Sequence, residues 1–135
     1  MSKLINFKII GFLLFLFLGA ESFGQVASAT LSGTKNFNRG SRNFTLVQGT
    51  SKTGWKHIYD RHVNLSKFTT KSKFNATLTQ SQIINALSMT LKHGSESTYA
   101  GLPIFEYRQK IKNTYRKYRA TVNTDGTVRT FHPLN

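Results

Sequence analysis

The chain has 135 residues, no cysteine, and 19 Lys and Arg against 5 Asp and Glu, a formal net charge of +14. That length allows one domain with one modest core, and the absent thiols exclude a disulfide scaffold and a cysteine-held zinc. The charge excess builds a positive potential that draws in polyanions, either nucleic acid or an anionic surface.

In chain order, residues 1–25 read as a secretory signal peptide. Lys3 and Lys8 form a positive n-region, and Ile9 to Leu18 (IIGFLLFLFL) an apolar h-region. A membrane anchor needs roughly 20 apolar residues, about twice this run. Cleavage is expected near Gly24–Gln25, with Ala27-x-Ala29 as a second site. It removes Lys3, Lys8 and Glu21 and leaves a net charge of +13. The expected location is therefore secreted or periplasmic, with no stable membrane span after cleavage. A cysteine-free exported domain of this size fits a bacterial source better than an animal one.

Residues 26–53 are rich in Ser, Thr, Gly and Asn and read as a flexible, extended lead-in, with a short strand over 44–48. The domain proper is expected over 54–135. Trp55 to Val63 (WKHIYDRHV) suits a short helix with Trp55, Ile58 and Tyr59 inward, and Asn64 to Leu78 reads as a basic loop. Thr79 and Gln82 form a capping box. Ile83, Ile84, Leu87 and Leu91 then repeat at helical spacing, and Gly94 suits a stop. Leu102 to Ile111 and Tyr115 to Val122 are predicted strands. Asn123-Thr124-Asp125-Gly126 is a turn, and Thr127 to His132 returns as a strand. Strict alternation would put Val128, Thr130 and His132 on one face and Arg129 and Phe131 on the other. The predicted fold is an α+β domain, two N-terminal helices packed on a C-terminal antiparallel β-sheet.

The chemistry is bounded first by what is scarce. After signal removal the acids are Asp60, Glu96, Glu106 and Asp125. Four scattered carboxylates do not supply a two-metal site or the paired acids of a glycosidase. No metal or other cofactor is expected. Histidine with abundant Lys and Arg suits cleavage of RNA by its own 2′-hydroxyl, which needs a base, an acid and a cation or hydroxyl donor for the phosphorane. His57 and His62 are the first candidates. Five residues apart on an ideal helix, they point roughly 140° apart, so both reach one site only if the helix ends or bends between them. In isolation such a pair is more often surface decoration, and His93 beside Gly94 reads as a helix-end cation.

The ordered segments Trp55-Lys56-His57-Ile58-x-x-Arg61-His62-Val63, Lys71-Ser72-Lys73-Phe74 and Gly126-Thr127-Val128-Arg129-Thr130-Phe131-His132-Pro133 resemble the toxin nucleases of bacterial polymorphic systems. The likeness is to bacterial EndoU domains and to RNase A-like toxin domains, over roughly residues 54–133. It implies a secreted, metal-independent endoribonuclease that leaves 2′,3′-cyclic phosphate ends. It further implies His57 and His62 as acid and base, and Thr130 as the hydroxyl at the scissile phosphate. Arg61, Lys71, Ser72, Lys73, Arg129 and His132 would bind substrate. RNA is the implied partner, with a cognate acidic immunity protein as a second. The chain departs from the EndoU pattern in placing Asp60-Arg61 before His62, which leans toward the RNase A-like one. Two rivals stand beside this reading. One is a non-catalytic basic protein binding nucleic acid or an anionic surface through Tyr107, Tyr115 and Tyr118 among Arg and Lys; the other is a structural envelope protein with incidental charge.

Overall fold

The computed structural model describes residues 26–135; the expected signal peptide lies outside them. A hairpin of β1 (Lys35–Arg39) and β2 (Arg42–Leu46) comes first. Helix α1 (Trp55–Ile58) follows and runs directly into a π-helical turn, Tyr59–Val63. After a loop comes α2 (Gln80–His93), then β3 (Ser95–Tyr99), β4 (Leu102–Ile111), β5 (Thr114–Val122) and β6 (Val128–Pro133). The last four strands form one antiparallel sheet in sequential order.

This architecture corrects the expected one. The helices are not N-terminal, strands outweigh helix, and there are two sheets where one was foreseen. Of the hairpin only a short strand over 44–48 was foreseen, overlapping β2, because each of its strands carries few apolar residues among Asn, Arg and Thr. Those few are nevertheless core: Phe37, Phe44 and Leu46 are buried. The Thr45 amide donates to the Gly126 carbonyl (3.0 Å), which ties β2 to the β5–β6 turn. Strand β3 (SESTY) is exposed throughout and offers no hydrophobic alternation. It forms because Ala100 and Gly101, at φ 52° and 81°, make a two-residue turn of the kind that folds β3 back on β4.

The elements legible in sequence are built as their chemistry dictates. The Thr79 side chain accepts from the Gln82 amide, and the Gln82 side chain accepts from the Thr79 amide at 2.9 Å, completing the capping box. Such a cap contributes about 1 kcal/mol. At the other end Gly94 is extended (φ −68°), so it does not stop the helix through a left-handed backbone. Glycine is needed for close approach instead, since a Cβ there would meet the Thr90 and Glu106 carbonyls. Arg39 reaches over from β1 and donates to the carbonyls of Leu91 (3.0 Å) and Gly94 (2.8 Å), capping the helix from outside.

One face of the large sheet carries Phe105, Tyr118, Ala120, Val122 and Phe131 into the core, where Ile83, Leu87 and Leu91 of α2 and Trp55 and Ile58 of α1 meet them. The opposite face carries the even residues of β4 and the odd residues of β5, paired as Glu106 with Arg119 and Arg108 with Lys117. Strand β6 breaks strict alternation. Thr121 pairs with Thr130 but Val122 pairs with Val128, so a bulge at Arg129 shifts the register. Val128 is therefore buried in the same core as Phe131, and not aligned with Thr130 and His132 as alternation predicted. Thr130 and His132 are left on the outer face, in the rows of Thr121 and Arg119.

Candidate active site

A cleft of about 350 Å³ opens where the π-helical turn, the loop after it and the outer side of β6 converge. His57, Arg61 and His62 line it from the helical segment, Lys71 and Ser72 from the loop, and Thr130 and His132 from β6. Seven of the nine residues singled out in sequence thus meet in one place. The two histidines meet because the turn is not an α turn. Its Asn64 amide donates to the Tyr59 carbonyl (2.8 Å), an i→i+5 ring that holds one residue more and brings positions five apart around to one side.

Two of the nine lie elsewhere. The Lys73 ammonium donates to the carbonyls of Arg61 (2.7 Å), Asn64 (2.8 Å) and Lys67 (2.6 Å). It clamps the end of the π turn to the loop, and burial holds its pKa below the usual lysine range. Arg129 is the bulged residue itself and lines a neighbouring hollow that also takes in Thr130 and His132. Sequence reasoning missed Thr70 and the closing residues Pro133, Leu134 and Asn135, which complete the cleft wall. Pro133 closes the last of the quoted segments without having been assigned a role; the other three lie in no motif.

The three imidazoles share one device. His57 Nδ1 lies 2.8 Å from the Ser51 carbonyl, His62 Nδ1 2.8 Å from the Ser72 carbonyl, and His132 Nδ1 2.9 Å from the Pro133 carbonyl. A carbonyl oxygen only accepts, so each Nδ1 carries the proton and each neutral ring keeps its lone pair on Nε2. No residue type announces such a partner, because any main chain supplies it. The rings of His62 and His132 stack, with centroids 4.6 Å apart and planes 18° from parallel.

Burial disfavours the charged form of all three. It pushes His62 down to about 3, helped by the nearby His132, His57 and Lys73 and opposed by the Ser72 bond. His132 is lowered for the same first reason, with Arg119, His57 and Lys71 adding repulsion. His57 is lowered by burial and by Arg61 and Arg129, while Asp60 works the other way. Two polar atoms here are buried without a hydrogen-bond partner: Thr130 Oγ1 and Arg61 Nε. Such atoms cost free energy in an empty site, and their presence favours a ligand that satisfies them. The Arg61 guanidinium is held over the Phe68 ring at 4.6 Å, and Phe68 itself takes a left-handed backbone (φ 49°).

No Asp or Glu side chain lines the cleft. The four acids among the described residues are engaged elsewhere: Asp60 with Lys56, Glu96 with Arg42, Glu106 with Arg119 and Lys117, and Asp125 with Thr127. Among the described residues, no group of three or more His, Asp and Glu is placed to hold a metal ion. Nor, among them, is any helix long and apolar enough to cross a membrane. No protein-family model matches the chain, and no curated protein matches it in sequence.

Proposed function

We propose that this protein is an endoribonuclease that cleaves RNA through the 2′-hydroxyl, without a metal ion, and leaves 2′,3′-cyclic phosphate ends. The observation that carries the reading is the cleft itself. Three imidazoles with fixed tautomers, a buried unpaired hydroxyl and two cationic side chains converge there with no Asp or Glu side chain among them. An anionic phosphodiester fits that lining, and acid–base transfer by imidazole is the chemistry it offers.

His62 suits the base. Its depressed pKa keeps it neutral over the working range, and Nε2 has the lone pair to take the 2′-OH proton. His57 is less buried than His62 and has Asp60 nearby to favour its cation, so it suits the acid that protonates the departing 5′-oxygen. Thr130 Oγ1 and Arg61 Nε would donate to the phosphorane oxygens, a demand their unpaired state already poses. Lys71 and the Ser72 hydroxyl would hold the adjoining backbone, and His132 props His62 through the stack. Lys73 serves by clamping the loop. The reading keeps the resemblance to bacterial toxin nucleases, with export through residues 1–25 and an acidic immunity protein as the cognate partner, which would complement the basic cleft face.

The test is incubation of the domain lacking residues 1–25 with total RNA in excess EDTA. Cleavage with 2′,3′-cyclic ends is the expected result, and single-stranded DNA should survive because it lacks the nucleophile. Activity that vanishes on chelation and returns with magnesium would refute the mechanism. Binding without cleavage would leave a basic nucleic-acid-binding protein.

A further inference from the structure

The sheet face away from the core is exposed along β3 and at Arg108, Lys110 and Lys117, and the two tyrosines on it are among the most exposed aromatics described, Tyr99 at 65% and Tyr115 at 61%. They stand at opposite ends. Tyr99 closes β3 opposite Leu102, and Tyr115 opens β5 opposite Lys110. Those partners are eight positions apart on β4, about 27 Å at strand rise. The Arg119 guanidinium lies over the Tyr99 ring at 5.5 Å and the Arg108 guanidinium over the Tyr115 ring at 5.8 Å. Each tyrosine borders a hollow large enough for a base, about 500 Å³ at Tyr99 and about 510 Å³ at Tyr115.

Both hollows join the cleft. The one at Tyr99 shares Thr130 and His132 with it, and the one at Tyr115 shares Leu134 and Asn135. Cations line both: Arg119 and Arg129 the hollow at Tyr99, and Arg108, Arg116 and Lys117 the one at Tyr115. Glu106 is the acid on that face, and Arg119 (2.6 Å) and Lys117 (3.6 Å) neutralise it. An aromatic ring propped by a guanidinium takes an unstacked base of any identity, and a duplex offers none.

We infer that the face is a track for single-stranded RNA, with one base stacked on Tyr99, another on Tyr115, and the intervening phosphates passing over the cleft. The inference rests on the proposed ribonuclease reading and names its substrate as unpaired strand spanning several nucleotides. It also gives Arg129 a place: on the track between cleft and Tyr99, outside the cleft itself.

The probe is a 2′-O-methylated RNA strand of about a dozen nucleotides, which cannot be cleaved, with binding read by fluorescence anisotropy. Tyr99→Ala and Tyr115→Ala should each weaken it five- to 100-fold, the worth of one stacked base. Tyr99→Phe and Tyr115→Phe should restore it, because the ring does the stacking. Both side chains are exposed, so the variants should melt like the parent. A duplex of the same sequence should bind more weakly and ignore all four substitutions. Alanine variants that bind like the parent would overturn the track, as would a duplex or an anionic lipid vesicle that competes as well as the strand. Cleavage of the unmodified strand is measured in parallel. Ring-dependent binding with no cleavage sinks the catalytic reading and leaves the track, whereas cleavage with ring-independent binding does the reverse.

Discussion

Thr130 puts function and stability in opposition at a single atom. Its hydroxyl is buried and unpaired, and an unsatisfied buried donor costs about 1–3 kcal/mol. Thr130→Val keeps the shape and the β-branch. The expected outcome is a melting temperature equal to or above the parent's, together with a clear loss of cleavage rate. A stable variant of undiminished rate would remove Thr130 from the chemistry. The histidines divide differently. His57→Ala should lower kcat about 10²–10⁴-fold with the fold intact, the usual worth of a positioned acid or base. His62 is 6% exposed and stacked on His132, so alanine there should lower the rate and also soften the fold. The pH profile discriminates further. Base neutral and acid charged coexist only between the two pKa values, about 3 for His62 and somewhere below the ordinary 6.5 for His57. In kcat/KM, which reports the free protein, activity should therefore rise as pH falls from 7.5 toward 5.5. A profile flat or rising toward alkaline pH would reject that assignment of acid and base.

Among the elements, the ones that carry their own local chemistry were legible: α2 through its capping box and apolar stripe, β4 and β5 through β-rich composition, and the β5–β6 turn through Asn123 and Gly126. Those stabilised only from a distance were largely not, the hairpin showing only as a short strand over 44–48. The hairpin owes its place to Phe37, Phe44 and Leu46 meeting residues far along the chain, and β3 to its turn and its partner. The site divides along the same line. Residue types and order singled out seven of its side chains, whereas the π turn that joins His57 to His62 and the bulge that aims Thr130 are backbone events with no letter to mark them. Lys73 is instructive, a cation that reads as a phosphate ligand and whose ammonium donates to the carbonyls of Arg61, Asn64 and Lys67. Lys73→Met should leave the net RNA affinity less changed than Lys71→Met does. It should also raise hydrogen exchange across 61–67, at a cost on the order of 1–3 kcal/mol. Equal protection in both variants would deny Lys73 its clamping role.

For the whole molecule, the same burial that tunes the histidines makes stability depend on pH. His57, His62 and His132 are all lowered in the folded state. Below about 6.5 the unfolded chain therefore takes up protons that the folded one refuses, and stability falls as pH falls. For His62 the loss continues until about pH 3, where the folded imidazole also charges. Between pH 6.5 and 4.5 the melting temperature should drop, His62 alone removing up to about 1.4 kcal/mol of stability per pH unit. His62→Gln should flatten that slope, and a slope unchanged in that variant would place the titration elsewhere. The charge of +14 sets the second global expectation. The log of the RNA-binding constant should fall linearly with log salt, by roughly 0.7 per phosphate contacted on a single strand, and Lys71→Met should make the fall shallower.

The π-helical turn has a further consequence, for how the site is inherited. An i→i+5 ring stores one more residue than its α counterpart, so positions five apart come round to one side. If the segment straightened into an ordinary helix at its present length, His57 and His62 would point roughly 140° apart and leave the shared cleft. Deleting Asp60 would take out the extra residue as well, and positions four apart on an ordinary helix lie only about 40° apart. The pair of imidazoles can therefore be inherited at two spacings, five with the π turn or four without it, but not at five on a plain helix.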